Sequence, residues 1–153
     1  MPTRDKVFET AVRIQLPGAA LDGILEIPEG AKSLVIFAHG SGSSRLSPRN
    51  ILVARHLQEV GLGTLLVDLL TKNEDRDYQK RFDIGLLTER LIAVTDWAGE
   101  NESTKKLRIG YFGASTGAGA ALQAAAKLKN KVAAIVSRGG RVDLAPNIKK
   151  VKA

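Results

Sequence analysis

The chain has 153 residues, of which 44% are hydrophobic and 25% charged, ordinary values for one domain with a real core. It has no cysteine, which excludes a disulfide framework and thiolate metal sites. The start MPTRDKVFET is polar, without a signal-peptide core, and no apolar run reaches the ~18 residues of a membrane span. A single domain over residues 1–153, soluble and cytoplasmic, with no membrane partner, is the expectation.

The net charge of +7 is unevenly distributed. Residues 1–126 hold 15 basic and 15 acidic side chains, whereas residues 127–153 hold eight basic ones and a single acid, Asp143. A basic tail can neutralise phosphates. This one carries no aromatic residue to stack on bases, and part of it has helix and strand character. It is read as a solvated face, and a nucleic-acid partner is not expected.

The elements follow in chain order. Residues 7–16 partly alternate between apolar and polar, Pro17-Gly18 supplies a turn, and LDGILEIP pairs back as a hairpin. SLVIFAHG, residues 33–40, is a continuous apolar run suited to a strand buried on both faces. Ser47-Pro48 reads as N-cap and first helical position of a helix carrying Ile51, Leu52, His56, Leu57 and Val60 and stopping at Gly61. GTLLVDLL, residues 63–70, is a second buried strand. TKNEDRDYQK is a loop in which Glu74, Asp75 and Asp77 are solvated. FDIGLLTERLIAVTDWAGE has helical spacing, LRIGYFG is a strand, residues 116–129 a helix, and KVAAIVSRGG the last clear strand. This order predicts an α/β fold: a mostly parallel sheet with helices on both faces.

Within GYFGASTGAGAAL, Ser115 stands at the centre of G-x-S-x-G, between strand 107–113 and helix 116–129. That context identifies a nucleophile elbow, a turn sharp enough to hold the serine in strained backbone geometry. Gly113 and Gly117 are expected because a Cβ at either would strike neighbouring backbone. The plainer reading is a serine that merely caps the helix. HGSGSS, residues 39–44, follows strand 33–38, and ligands of open α/β sheets bind beyond such strand ends. The loop should therefore face Ser115, with the amides of Ser41 and Thr116 as an oxyanion pair. A phosphate cradle is the competing use of such a loop, but neither G-x-x-x-x-G-K-[ST] nor G-x-G-x-x-G with a following acid is present.

VIFAHGSGSSRLSPRN, TLLVDLLT, RIGYFGASTGAGAAL and VSRGGRVDLA together resemble the dienelactone-hydrolase-like branch of the α/β-hydrolase superfamily, from about residue 10 onward. The resemblance implies a nucleophile at Ser115, an oxyanion hole from the loop carrying Ser41, and hydrolysis of esters, lactones or related acyl compounds without a cofactor. It also implies a triad acid and then a histidine later in the chain. Only 38 residues follow Ser115, with Asp143 as their single carboxylate and no histidine. The expectation is therefore the N-terminal part of an α/β-hydrolase fold, ending after the sixth strand.

The two histidines both precede Ser115. His39 is expected to shape the turn beside the oxyanion loop, and His56 to be packed or half exposed on its helix. Asp143 is expected to be a cap or turn residue. His39 and Arg45 are candidate pocket residues, and Arg49, Arg138 and Arg141 could border the crevice. No spacing suggests a metal site. The expected function is that of a serine hydrolase acting on a small ester or lactone by nucleophilic attack of Ser115, with the triad acid and base missing from this chain and weak or no activity expected of the chain alone. The alternative is a non-catalytic interaction domain. Strand 132–137, lacking a neighbour on its outer side, is expected to pair as a homodimer or to be covered by VDLAPNIKKVKA.

Overall fold

The structure, a computed structural model, describes residues 8–153, so the reading of residues 1–7 lies outside the described residues. A hairpin opens the fold. Strands β1 (Phe8–Leu16) and β2 (Ala19–Ile27) pair antiparallel from Phe8↔Ile27 to Leu16↔Ala19. Gly18 closes the turn at φ +78°, a conformation that costs glycine little.

β3 (Ser33–Ala38), β4 (Gly63–Val67), β5 (Arg108–Ala114) and β6 (Val132–Arg138) complete a six-stranded sheet of order β1-β2-β4-β3-β5-β6. β4 pairs antiparallel with β2 and parallel with β3; the β3–β5 and β5–β6 pairs are parallel. The expected architecture is thus present, with the antiparallel hairpin on one side. Every residue of β4 is buried, as its apolar run requires of a strand covered on both faces. Residues 68–70 fall outside the strand, although Leu69 and Leu70 still belong to the core.

Helix α1 (Pro48–Glu59) covers one face of the sheet. Ser47 is its N-cap, accepting from the Asn50 amide, with proline at the first helical position, as the Ser-Pro pair foretells. Its buried residues are Asn50 and Ala54, with Ile51, Val53 and Leu57 packed against Phe37, Leu66 and Phe112. The expected stripe is only half right, because Leu52 is 58% and Val60 74% exposed. Positions 52, 56 and 60 share the outward face, one turn apart, opposite 50 and 54. His56 is accordingly exposed beside Glu59.

The segment read as a loop contains a helical turn, α2 (Lys72–Asp75). Thr71 accepts from the Glu74 amide while the Glu74 carboxylate accepts from the Thr71 amide, a capping box that stabilises even one turn. Nor is Glu74 solvated. It pairs with Arg90 at 2.5 Å, both side chains largely buried, and this pairing is the main cause that holds its carboxyl below the usual range, against the opposing effect of burial. Asp75 pairs with Arg81 at 3.0 Å. A 3-10 turn, Lys80–Phe82, leads into α3 (Ile84–Glu100), N-capped by Asp83.

α3 and α4 (Thr116–Leu128) cover the other face of the sheet. Their Leu87, Leu91, Val94, Ala120, Ala121, Ala124 and Ala125 join Ile36, Leu65 and Tyr111 in the larger core cluster. The small residues of α4 bring its axis close to the strands. Beyond β6, residues 142–151 form two 3-10 turns that pack on α4, and Gln123 donates to the Leu144 carbonyl. This segment lies over α4, not along β6, which is an edge of the sheet as described.

Candidate active site

The register of the two central strands builds the site. β3 and β5 align Ala38 with Gly113, so the loop after β3 and the turn after β5 emerge side by side. A Cβ on Gly40 would lie 3.2 Å from the Ser115 Cβ and 3.3 Å from the Ala114 carbonyl oxygen. HGSGSS and Ser115 therefore face each other, as their strand ends predict.

Ser115 is at φ +53°, ψ −123°, is exposed, and makes no side-chain capping bond to α4. Positive φ in a residue with a Cβ costs ~1–3 kcal/mol and persists only when the surroundings enforce it. They do so here through both backbone groups. The Ser115 amide donates to the Arg138 carbonyl at 3.2 Å, and its carbonyl accepts from the Arg141 amide at 3.1 Å and the Ala118 amide at 3.1 Å. The plainer reading of Ser115 as a helix cap is not what the geometry displays.

The elbow glycines leave no room. A Cβ on Gly117 would sit 2.1 Å from the Ala38 carbonyl oxygen and 2.5 Å from that of His39, and one on Gly113 would sit 2.5 Å from the Ala118 Cα. The clamp from β6 depends on glycine too. Gly139 turns the chain at φ +54°, and a Cβ on Gly140 would meet the Ser137 Oγ at 2.0 Å and the Ala118 Cβ at 2.5 Å. The role of Arg138–Arg141 in holding Ser115 is not apparent in the sequence. The Gly-Gly pair after the strand is the signal that marks a turn there.

The HGSGSS loop differs from the expected oxyanion pair in one respect. The Thr116 amide stands at the first position of α4, where no intrahelical acceptor exists. The Ser41 amide, however, is engaged: it donates to the Thr116 Oγ1 at 3.0 Å. The cause is the Thr116 side chain, buried and turned toward the loop. Ser41 Oγ donates in turn to the Arg81 carbonyl at 2.7 Å, which ties the 71–83 segment to the loop. Tyr78 and Phe82 in that segment pack with their ring centroids 5.0 Å apart and their planes tilted by 52°.

His39 is not free to activate Ser115. His39 is 6% exposed. Its Nδ1–H donates to the Gly40 carbonyl at 2.9 Å while its Nε2 accepts from the Leu69 amide at 3.0 Å. Both nitrogens are thus spent on backbone, and burial holds its pKa below the usual histidine value. Arg45 is also committed, its amide and guanidinium both bonding Asp68, at 2.6 and 2.5 Å. With His39, Ser43, Ser44 and Asp68 it lines a shallow cleft to which Ser115 does not contribute.

Arg141 forms a two-pronged pair with Asp143 at 3.0 and 2.9 Å, which lies in a 3-10 turn and keeps the Asp143 carboxyl below its usual range. The Arg138 guanidinium lies 5.5 Å over the Phe112 ring. Arg49 is an exposed residue of the first turn of α1. Among the described residues no group of three or more histidines or carboxylates could hold a metal, and no helix is long and apolar enough to cross a membrane.

Comparison with known proteins completes the description. The solved dienelactone hydrolase from Anabaena variabilis is 55% identical, with a TM-score of 0.92 over 96% of this chain and 70% of its own. The chain belongs to the dienelactone hydrolase family of α/β-hydrolases. The esterase Est1E of Butyrivibrio proteoclasticus, 23% identical with a TM-score of 0.69 over 82% of this chain and 49% of its own, shares the fold. A Mycobacterium tuberculosis protein provisionally named a phosphoribosyl transferase is 51% identical over 144 residues, 94% of this chain and 32% of that protein. The chain spans about a third of the length of such curated relatives. No family model matches it.

Proposed function

We propose that the protein is a serine hydrolase that cleaves a small ester or lactone through Ser115. The observation that carries this reading is the serine held at φ +53°, exposed and not capping its helix. Strained backbone of this kind clusters at active sites; Lys129 shares the conformation, but only Ser115 has it at the strand-to-helix turn facing the HGSGSS loop. In the reaction the Ser115 Oγ attacks the acyl carbon as its proton passes to a base. The Thr116 and Ser41 amides stabilise the oxyanion; the alcohol then leaves with that proton, and water hydrolyses the acyl-serine. His39 has both ring nitrogens bonded to backbone and His56 lies on the outward face of α1 beside Glu59, so this reading assigns neither as the base. The membership in the dienelactone hydrolase family supports the substrate class. The phosphoribosyl transferase name belongs to a protein most of whose length lies outside the match.

A fluorophosphonate probe tests the reading: it labels Ser115, and Ser115→Ala abolishes the labelling. Equal labelling of the variant, or a label mapped to Ser41 or Ser43, refutes it.

A second reading, an interaction domain that pairs with its own copy, is favoured by β6. Ala133, Ala134 and Val136 of this edge strand are exposed. An apolar edge with unpaired backbone groups is a template for another strand. Light scattering tests it: a dimer supports the pairing, and a monomer at tens of micromolar with freely exchanging β6 amides refutes it.

A further inference from the structure

The contacts around Ser41 form a hydrogen-bond chain whose direction can be assigned. The Arg81 carbonyl only accepts, so the single hydroxyl proton of Ser41 goes to it, at 2.7 Å. The 2.9 Å contact between Ser41 Oγ and Thr116 Oγ1 must then be donated by Thr116. Thr116 Oγ1 in turn accepts the Ser41 amide at 3.0 Å. The order is Ser41 N–H to Thr116 hydroxyl, to Ser41 hydroxyl, to Arg81 carbonyl. Each hydroxyl donates once and accepts once, and such chains strengthen their members, the more so away from water. Thr116 is 2% exposed. The far end is fixed as well, because the Arg81 Nε donates to the Asp75 carbonyl at 2.8 Å.

We propose that the Thr116 hydroxyl is a positioning residue for hydrolysis: it holds the Ser41 amide in the resting protein and yields it only to a charged oxyanion. This rests on the reading of Ser115 as nucleophile. A neutral ester carbonyl is no better an acceptor than the hydroxyl and does not break the chain. A tetrahedral oxyanion forms a charge-assisted bond of roughly twice the strength and displaces the hydroxyl. The Ser41 amide therefore contributes chiefly in the transition state, the kind of interaction that raises kcat rather than ground-state binding.

The test combines Thr116→Val, which keeps the shape and loses the hydroxyl, Thr116→Ser, which keeps the hydroxyl, and Ser41→Ala, which severs the link to Arg81 while keeping the backbone amide. The first readout is exchange of the residue-41 amide with solvent, measured by NMR on the whole protein and independent of turnover. It is expected to be protected in the wild type and Thr116→Ser, and about tenfold faster in Thr116→Val, as the loss of one hydrogen bond implies. Ser41→Ala is expected to be intermediate. The second readout is hydrolysis of 4-nitrophenyl acetate. Thr116→Val is expected to lower KM about fivefold, because the ground-state carbonyl now reaches a free amide, with kcat little changed, because the oxyanion displaces carbonyl or hydroxyl at similar cost; Thr116→Ser is expected to restore the wild-type KM. Equal amide exchange in wild type and Thr116→Val while Ser115 still takes a fluorophosphonate label overturns this proposal alone. So does a Thr116→Ser protein that behaves like Thr116→Val. If Thr116→Val does not fold, Thr116→Ala, which also lacks the hydroxyl, replaces it, and wild-type protection of the residue-41 amide there overturns the proposal. Failure of the wild type to label at Ser115 overturns it together with the hydrolase reading.

Discussion

Gly117→Ala places a methyl group where the elbow crosses the end of β3. The new Cβ would lie 2.1 Å from the Ala38 carbonyl oxygen, whereas ordinary contact begins near 3.4 Å. The Ala38 carbonyl carbon, at 2.6 Å, is also backbone, of a central strand paired on both sides. No side-chain rotation relieves the clash, so α4 must shift by an ångström or more from the sheet it packs against. Overpacking in a well-filled core costs ~1–3 kcal/mol, and a clash with backbone lies at the upper end, about 3 kcal/mol. For a domain of this size each kcal/mol lowers Tm by ~2–4 °C, which gives a fall of roughly 6–12 °C. Gly99 in α3 is the control. A Cβ there meets nothing within 4 Å, so Gly99→Ala stabilises by ~0.5–1 kcal/mol through helix propensity alone. Thermal melts followed by circular dichroism compare the three proteins. Gly117→Ala within 2 °C of wild type would refute the argument that the turn excludes a side chain.

Three further outcomes follow from single contacts. Glu74→Gln removes the charge partner of a largely buried Arg90 and is expected to lower stability by ~1–3 kcal/mol at neutral pH. Because pairing depresses the folded pKa of Glu74, its stabilisation is present above the ordinary glutamate pKa and lost as pH falls through the folded value. Urea midpoints of variant and wild type should therefore converge toward acid; a gap independent of pH contradicts the pairing. Burial lowers the folded pKa of His39, so the wild type should lose stability as pH falls below the ordinary histidine value, and His39→Asn should be weaker at pH 7 but flatter across that range. Parallel curves for the two proteins would remove the burial argument. Ala134→Lys, on the exposed face of β6, should weaken any dimer in light scattering and remove the dependence of Tm on protein concentration, and an unchanged dimer would place the contact elsewhere.

Local chemistry made the site largely legible. Ser47-Pro48 located the start of α1 because capping and proline act over a few residues, and Gly113 and Gly117 marked the elbow because a sharp turn has few chemical solutions. The apolar runs of β3, β4 and β5 gave the buried centre of the sheet. What escaped was non-local. Nothing near Ser115 in sequence indicates that Arg138 and Arg141 clamp its backbone, or that the Thr116 hydroxyl takes up the Ser41 amide 75 residues away. Glu74 and Arg90 look like surface charges until the fold brings them together. The apolar pattern misplaces the face of α1 because Leu52 and Val60 are apolar yet point outward, whereas Asn50 is buried. The helical turn at Lys72–Asp75 was within reach, since Thr71 and Glu74 have capping-box spacing.

The central claim is that Ser115 is the nucleophile, and trapping the acyl intermediate tests it most directly. The protein is mixed with 4-nitrophenyl acetate, quenched in acid and digested, and its peptides are analysed by mass spectrometry. The account predicts a single acetyl group on Ser115 in the peptide spanning the elbow, absent from Ser115→Ala. Acetylation confined to lysines, or retained at the elbow in Ser115→Ala, would contradict it.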